Sequence, residues 1–279
     1  ILDALGPGIG ISRALVPHMA NFADPVSIFM STPVHSIAED ASLAEVEESM
    51  RTLGVSSLAV LDTSGTLTGV ISNTDLIGSG LRNSGRRPDA ALLEAAGTVA
   101  NVMTPKVISV DIDSSMADAA AIMVQERVHR VFVMARGDVA GVLSTWDIMA
   151  AVEAARVNKP ASEFMSTPVF TVRATETVSL ATERLGKARI TGLLVVDESE
   201  WPVGVFGQRE ALEAADATRS ATVDSAMHAA VLTLPDRTAI HNVARQALAM
   251  NARRVALMNR HELVGIMTGV DFAKAMLQQ

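Results

Sequence analysis

The chain has 279 residues, enough for about two domains with their own cores, and 49% of its residues are apolar while only 3% are aromatic. Its net charge of −8, with no long basic run, argues against a dedicated nucleic-acid surface or a surface for anionic membranes. The absence of cysteine excludes disulfides, thiolate metal sites and cysteine nucleophiles, and it fits the cytoplasmic location that we expect. No window approaches the roughly 18 consecutive apolar residues that a membrane span requires.

From about Val26 onward the sequence predicts a strand, a helix, two paired strands and a closing helix. Residues 1–25 are predicted to be a lead-in segment. The first unit opens with Met30-Ser31-Thr32-Pro33, and its first helix is capped by Ser42 and stopped by Gly54. The predicted ranges are 34–37 for the first strand, 42–53 for the helix, 57–61 and 67–71 for the paired strands, and a closing helix after Ser72.

The same order of elements is predicted three more times. The four openings begin at Met30, Met103, Met165 and Met227, about 73, 62 and 62 residues apart, which is the signature of internal repeats. Between Gly78 and Gly97 a spacer is predicted to hold a polar loop, with Arg86-Arg87 as a candidate anion site, and a short helix. The other predicted ranges are strands 107–110, 130–135, 139–143, 169–172, 193–196, 203–206, 231–234, 255–258 and 263–267 and helices 115–125, 178–188 and 238–251.

A seven-residue stretch closes the paired strands of every unit: a glycine, two apolar residues, a small residue, two variable residues and an acid. In one interpretation the small hydroxyl residue caps the closing helix and the acid at the third helical position completes the cap. In the other, the hydroxyl and free N–H groups hold a phosphate while the carboxylate binds a ribose diol, and recurrence of the stretch favours this function. The residues concerned are Ser72 and Asp75, Ser144 and Asp147, and Thr268 and Asp271.

The opening, the helix, the strand pair and the closing stretch together resemble the CBS domain, named for cystathionine β-synthase, in four copies over residues 26–279. The resemblance implies an α/β (α+β) fold in which repeats pair through their strand faces into two Bateman modules that assemble into a disc. The first module would span 26–156, with repeats at about 26–84 and 98–156. The second would span 157–279, with repeats at about 160–217 and 222–279.

CBS modules commonly bind AMP, ADP, ATP or S-adenosylmethionine, so the resemblance implies an adenine nucleotide as a regulatory ligand and no required cofactor. It assigns the ribose and phosphate contacts to the hydroxyl–acid pairs above. Basic residues before the middle strands would face the phosphates, although arginines at a strand start are also commonly just solvated: His129, Arg130, Arg253 and Arg254. The adenine slots would be lined by Val34, Val55, Ser56, Ser57 and Leu58, by Val107 and Val128, and by Val231 and Ala252.

Two copies depart from this pattern. In the third, Gly207 replaces the hydroxyl and Glu210 the aspartate, so we expect its site to be vacant or weak, with Lys187 and Arg189 lending charge to a neighbouring site. The first has Ser56-Ser57 where the second and fourth copies have basic residues, and it would depend on charge from elsewhere.

The sequence favours a regulatory function over an enzymatic one. The six histidines show no metal-ligand spacing, so no metal site is expected, and no Walker loop, dinucleotide-binding glycine pattern or nucleophile elbow occurs. The leading hypothesis is a cytoplasmic module that senses an adenosine-containing ligand and regulates an unidentified protein, as a disc-shaped monomer or a homodimer. The alternatives are a ligand-free scaffold for oligomerisation or protein binding, and the regulatory part of a longer enzyme or transporter.

Overall fold

The computed structural model describes residues 21–78, 97–188, 190–214 and 220–278. Within them the predicted order of strand, helix, strand, strand and helix recurs four times, which confirms the mixed α and β fold. We call these four units repeats 1 to 4. Most of the predicted lead-in segment, the predicted spacer helix and Arg86-Arg87 lie outside the described residues.

Each repeat contributes three strands and a set of short helices. The strands are β1 (Ser36–Ala38), β2 (Ser57–Leu61), β3 (Leu67–Ser72), β4 (Ser109–Asp111), β5 (Arg130–Ala135), β6 (Asp138–Ser144), β7 (Thr171–Arg173), β8 (Gly192–Val196), β9 (Pro202–Gly207), β10 (Leu232–Pro235), β11 (Arg254–Asn259) and β12 (Glu262–Thr268). The helices are α1 (Leu43–Leu53), α2 (Asn73–Gly78), α3 (Val99–Val102), α4 (Met116–Gln125), α5 (Thr145–Ala154), α6 (Val178–Ala188), α7 (Gln208–Glu213), α8 (Ile240–Ala249) and α9 (Gly269–Leu277).

The three strands of each repeat form a separate sheet. The first strand pairs in parallel with the middle one, and the middle strand pairs in antiparallel fashion with the third. In repeat 1 the middle strand is buried along Leu58, Ala59 and Val60, which explains why it is a continuous apolar run instead of an alternating one. The chain then turns from the third strand directly into the closing helix.

The first strands begin later than the sequence predicts. The prediction started β1 at Val34, whereas the strand begins at Ser36, and β4 and β7 are displaced by two residues in the same way. The cause is the opening segment, which does not belong to its own sheet. Ser31 instead exchanges backbone hydrogen bonds with Val142 of repeat 2, at 2.9 and 3.1 Å, so the residues after it return the chain to repeat 1.

The helix boundaries follow the predicted caps. Ser42 and Glu45 form a reciprocal capping box before α1, and Gly54 ends that helix in the left-handed conformation with φ 66°. Helix α8 is the exception, because it spans Ile240–Ala249, shorter than the predicted 238–251, and begins after Ala239 without a side-chain cap.

The opening segments interlock repeats 1 with 2 and 3 with 4. Each opening methionine packs on the glycine that begins the closing stretch of the neighbouring repeat. A β-carbon at Gly141, for example, would lie 2.6 Å from the sulfur of Met30. This contact accounts for both the methionine and the glycine of the repeated pattern. The pairs are Met30 with Gly141, Met103 with Gly69, Met165 with Gly265 and Met227 with Gly204.

Repeats 2 and 4 share one hydrophobic core, whereas repeats 1 and 3 each have a smaller core of their own. In the shared core α5 packs against α8, and α9 packs against α4 and α5. The N-termini of α5 and α9 lie so close together that a β-carbon at Gly269 would overlap the side chain of Thr145. The two interlocked pairs are therefore joined mainly through repeats 2 and 4. Among the described helices, none is long and apolar enough to cross a membrane.

Candidate functional site

In each interlocked pair, one arginine at the start of a middle strand bridges the two repeats. Arg130, the first residue of β5, donates Nη2 to the hydroxyl of Ser56 at 2.8 Å and Nη1 to that of Ser57. Arg254, the first residue of β11, donates Nη2 to the hydroxyl of Thr191 at 2.7 Å. The charge that repeat 1 lacks in its own sequence is thus supplied by repeat 2.

The residue under the guanidinium of Arg254 is small for a steric reason. Gly192 begins β8 at the position that Ser57 occupies in β2, and a β-carbon there would overlap the guanidinium of Arg254. Any larger residue would push Arg254 away from repeat 3. Repeats 1 and 3 therefore present hydroxyl groups and backbone to arginines that repeats 2 and 4 provide.

His129, Arg130, Arg253 and Arg254 form one group, which we call the central cation cluster. Burial, reinforced by Arg253 and opposed by Asp147, lowers the pKa of Arg130 to about 10. Burial and Arg253 likewise lower the pKa of Arg254 to about 10, against the effect of Glu210. Because Arg253 of repeat 4 acts on Arg130 of repeat 2, the cluster spans the two interlocked pairs.

Among the residues that the structure describes, the central cation cluster has fewer acids than cations around it. The carboxylates that act on its arginines are Asp147 and Glu210, and Arg209 adds a further positive charge near Arg253. Within the described residues, the Arg253 side chain makes no hydrogen bond or ion pair, and it is open to solvent. Excess positive charge held together inside a chain of net charge −8 is an arrangement that an anion would stabilise.

The pKa of His129 is lowered by burial and by Arg130, Arg254 and Arg253, so the folded protein favours the neutral imidazole. The unfolded chain then binds more protons below about pH 6.5, and the free energy of unfolding should fall as pH drops through that value. We expect a loss below about 1 kcal/mol between pH 7.5 and 5.5, because the His129 side chain is only partly removed from water, so solvent screens its interactions.

Urea unfolding of wild type and His129→Gln at both pH values checks this prediction. The glutamine variant should lose less stability on acidification than wild type, whereas His35→Gln, at an exposed histidine, should behave as wild type does. Equal acid losses in wild type and His129→Gln would contradict it.

The acids of the closing stretches cap the helices that follow them. In repeat 2 the Asp147 carboxylate accepts the Ser144 N–H at 2.7 Å and its hydroxyl at 2.8 Å. Asp75 accepts the same two groups of Ser72, and its other oxygen accepts the hydroxyl of Thr104 at 3.1 Å. The capping interpretation is therefore confirmed, and any binding of ribose has to share these carboxylates. Thr268 and Asp271 form the corresponding box in repeat 4.

Repeat 3 keeps only part of this arrangement. The N–H of Gly207 donates to Glu210 at 2.8 Å, and no hydroxyl accompanies it. Lys187 pairs with Glu183 on the surface, with 77% of its side chain exposed, so it does not supply charge to a neighbouring site as the sequence suggested. Arg189 lies outside the described residues.

The positions predicted to line adenine slots are partly buried, with two exceptions. Ser57 is buried beneath Arg130, and Leu58 is 1% exposed. The prediction for the Leu58 side chain is wrong, because it packs with Leu43 and Val46 in the core of repeat 1. The partly buried positions are Val34, Val55, Ser56, Val107, Val128, Val231 and Ala252.

The sequence model of the CBS domain matches residues 26–81, 99–154 and 161–217. A structure of a Methanocaldococcus jannaschii protein, described as a candidate archaeal homologue of γ-AMPK, superposes with a TM-score of 0.76 at 14% identity, over 90% of this chain and 99% of that one. A conserved protein from Pyrococcus horikoshii superposes with a TM-score of 0.65 at 18% identity, over the same shares of the two chains. Both likenesses concern the fold.

Among curated sequences, a homoserine O-acetyltransferase from Methanosphaerula palustris is 30% identical over 109 residues. The match covers 39% of this chain and 22% of that enzyme. A second enzyme of that name, from Methanococcoides burtonii, is 32% identical over 40% of this chain and 23% of its own length. The chain therefore spans less than a quarter of the curated relatives that it matches.

Proposed function

This chain belongs to the CBS domain family, and on that premise we propose that it is a non-catalytic regulatory module that binds an adenosine-containing nucleotide. The ligand would be AMP, ADP, ATP or S-adenosylmethionine. Repeats 1 and 2 would form one Bateman module, over residues 26–156, and repeats 3 and 4 a second, over 157–279. The interlocked openings, such as Ser31 on Val142 and Ser166 on Ile266, support this division.

The observation that carries the proposal is the central cation cluster. Guanidinium groups bind phosphate through paired, charge-assisted hydrogen bonds, and those of the cluster are already held together by the fold. Arg253 has its donors open to solvent, while Arg130 and Arg254 are fixed by hydroxyl groups. A nucleotide phosphate would supply the negative charge that the cluster lacks.

The rest of the nucleotide would lie between the repeats of the first module. The strand starts that meet there present Ser56 and Ser57 beside Arg130, and Asp147 acts electrostatically on the same arginine. A ribose near Asp147 would donate its hydroxyl groups to a carboxylate that already caps α5. The partly buried side chains of Val107 and Val128 would cover the adenine ring in the slot of repeat 2, and those of Val34 and Val55 would line the slot of repeat 1.

Ligand binding would act on the arrangement of the modules. The cluster takes His129 and Arg130 from repeat 2 and Arg253 and Arg254 from repeat 4, and the positive charges of its arginines repel one another. A bound phosphate would relieve that repulsion and favour the arrangement in which the two pairs approach. A partner that recognises this arrangement would then be regulated, since a ligand shifts an equilibrium only by its unequal affinity for the two states.

A scaffold without a ligand is the second candidate. It is favoured by the acids, because Asp75 and Asp147 already serve as helix caps and need no nucleotide to explain them. A scaffold function does not, however, explain the excess positive charge of the central cation cluster. The shared segment with two acetyltransferases is consistent with a regulatory region that occurs beside an enzyme.

Calorimetric titration with AMP, ATP, S-adenosylmethionine and GMP tests the proposal. We expect adenine-selective binding that Asp147→Asn weakens at least about tenfold, because the ribose loses a charged acceptor. Asp118→Asn is the matched control, since Asp118 forms an equivalent capping box on α4 but does not belong to the hydroxyl–acid pairs of the closing stretches. A folded wild type that binds none of the four compounds would favour the scaffold.

A further inference from the structure

The acids of the three hydroxyl–acid pairs differ in burial. Asp271 of repeat 4 is 1% exposed, whereas Asp75 and Asp147 are only partly buried. The sequence treats the three as equivalent. A ribose diol can reach a carboxylate only if one of its oxygens has a free side, so this difference bears on how many nucleotides the chain accepts.

Both oxygens of Asp271 are occupied by donors of the protein. Oδ2 accepts the N–H of Thr268 at 2.9 Å and its hydroxyl at 2.8 Å. Oδ1 accepts the hydroxyl of Ser166 at 2.7 Å and the ammonium of Lys274 at 3.1 Å. A carboxylate can accept about four hydrogen bonds, and these four donors fill that capacity. Asp271 is thus saturated as well as buried.

Lys274 is the donor that distinguishes repeat 4. It lies three residues after the acid, one helical turn along α9, where its ammonium returns to the carboxylate. The matching positions in the other repeats are Gly78, Ala150 and Glu213, none of which can donate a charged hydrogen bond to the acid. The hydroxyl on the second oxygen is not distinctive, because Thr104 plays the same part for Asp75.

From these contacts, and resting on the proposed function, we propose that Lys274 closes the acid of repeat 4 to ribose and so limits nucleotide binding to the acids of the first module. A ribose would have to displace the ammonium and the Ser166 hydroxyl from a carboxylate without access to solvent. The diol would gain two hydrogen bonds and the protein would lose two, one of them charged. Lys274 is then a determinant of the number of sites, and it touches no ligand itself.

The test is calorimetric titration of the full chain with AMP in wild type, Asp271→Asn, Lys274→Met and the double variant. We expect Asp271→Asn to leave the affinity and number of AMP sites unchanged within twofold, whereas Lys274→Met adds one site. The double variant should lose that added site. Lys187→Met is the matched control, since Lys187 also pairs with an acid of its own helix, and it should add nothing.

The outcomes distinguish a failure of this inference from a failure of the proposed function. If wild type binds AMP and Lys274→Met adds no site, or if Asp271→Asn removes a wild-type site, the role of Lys274 is overturned while nucleotide binding stands. If neither wild type nor Lys274→Met binds AMP, both fail together. The Asp271→Asn arm decides the matter even where Lys274→Met does not fold, because it is measured with Lys274 in place.

Discussion

Gly269→Ala should destabilise the protein by about 3 kcal/mol, the upper part of the range for an overpacked core. The added β-carbon would overlap the side chain of Thr145, which begins α5 on the other side of the shared core. To relieve this overlap, α9 would have to move away from α5. That movement would disturb the packing that joins repeats 2 and 4. The sign is informative, because glycine to alanine within a helix ordinarily stabilises it by up to about 1 kcal/mol.

Urea unfolding measures this loss, and a second substitution on α5 tests whether the collision with Thr145 causes it. Thr145→Gly in the Gly269→Ala background removes the atoms that collide, so it should recover part of the stability even though glycine alone at that position costs some. A double variant that is less stable than Gly269→Ala would show that the contact between the helix starts is not what limits the packing.

Arg253→Gln should weaken AMP binding about 10- to 100-fold, the equivalent of one charge-assisted hydrogen bond to phosphate. The same change should not lower the free energy of unfolding. Arg253 makes no hydrogen bond or ion pair among the described residues, and its charge lowers the pKa of both Arg130 and Arg254, so its removal relieves repulsion. A residue with only a structural role would show the opposite pattern.

Arg209→Gln is the matched control for that experiment. Arg209 lies near enough to lower the pKa of Arg253, yet it forms an ion pair with Glu213 on the surface of α7. It should therefore change AMP affinity far less than Arg253→Gln does. Equal losses in the two variants would indicate general attraction by positive charge and not a specific contact.

Local sequence signals predicted the elements of this fold. Ser42 and Ser115 are followed three residues later by an acid, and both form the capping boxes that this spacing indicates. The predicted middle strands are buried, and Gly65 and Gly137 take φ of 82° and 93° in the turns between the paired strands. These features depend on neighbours within a few residues, so one chain segment suffices to reveal them.

Contacts between distant segments were not predictable in the same way. Nothing in the sequence indicates what the opening methionines contact, and only the folded chain shows Met30 on Gly141 of another repeat. Nor does the sequence say that Arg130 bonds to Ser56, 74 residues away, or that Leu58 faces a core. Lys274 is the instructive case, because its spacing from Asp271 was visible but the burial that makes the pair matter is a property of the whole fold.

The most direct test of the central cation cluster as a phosphate site is calorimetric titration of wild type with AMP and with adenosine under the same conditions. The two ligands share the base and the ribose, so the difference in affinity reports the phosphate alone. We expect AMP to bind at least about tenfold more tightly, with an advantage that declines as salt is added and is largely lost in Arg253→Gln. Equal affinities for AMP and adenosine in wild type would contradict the assignment of the cluster.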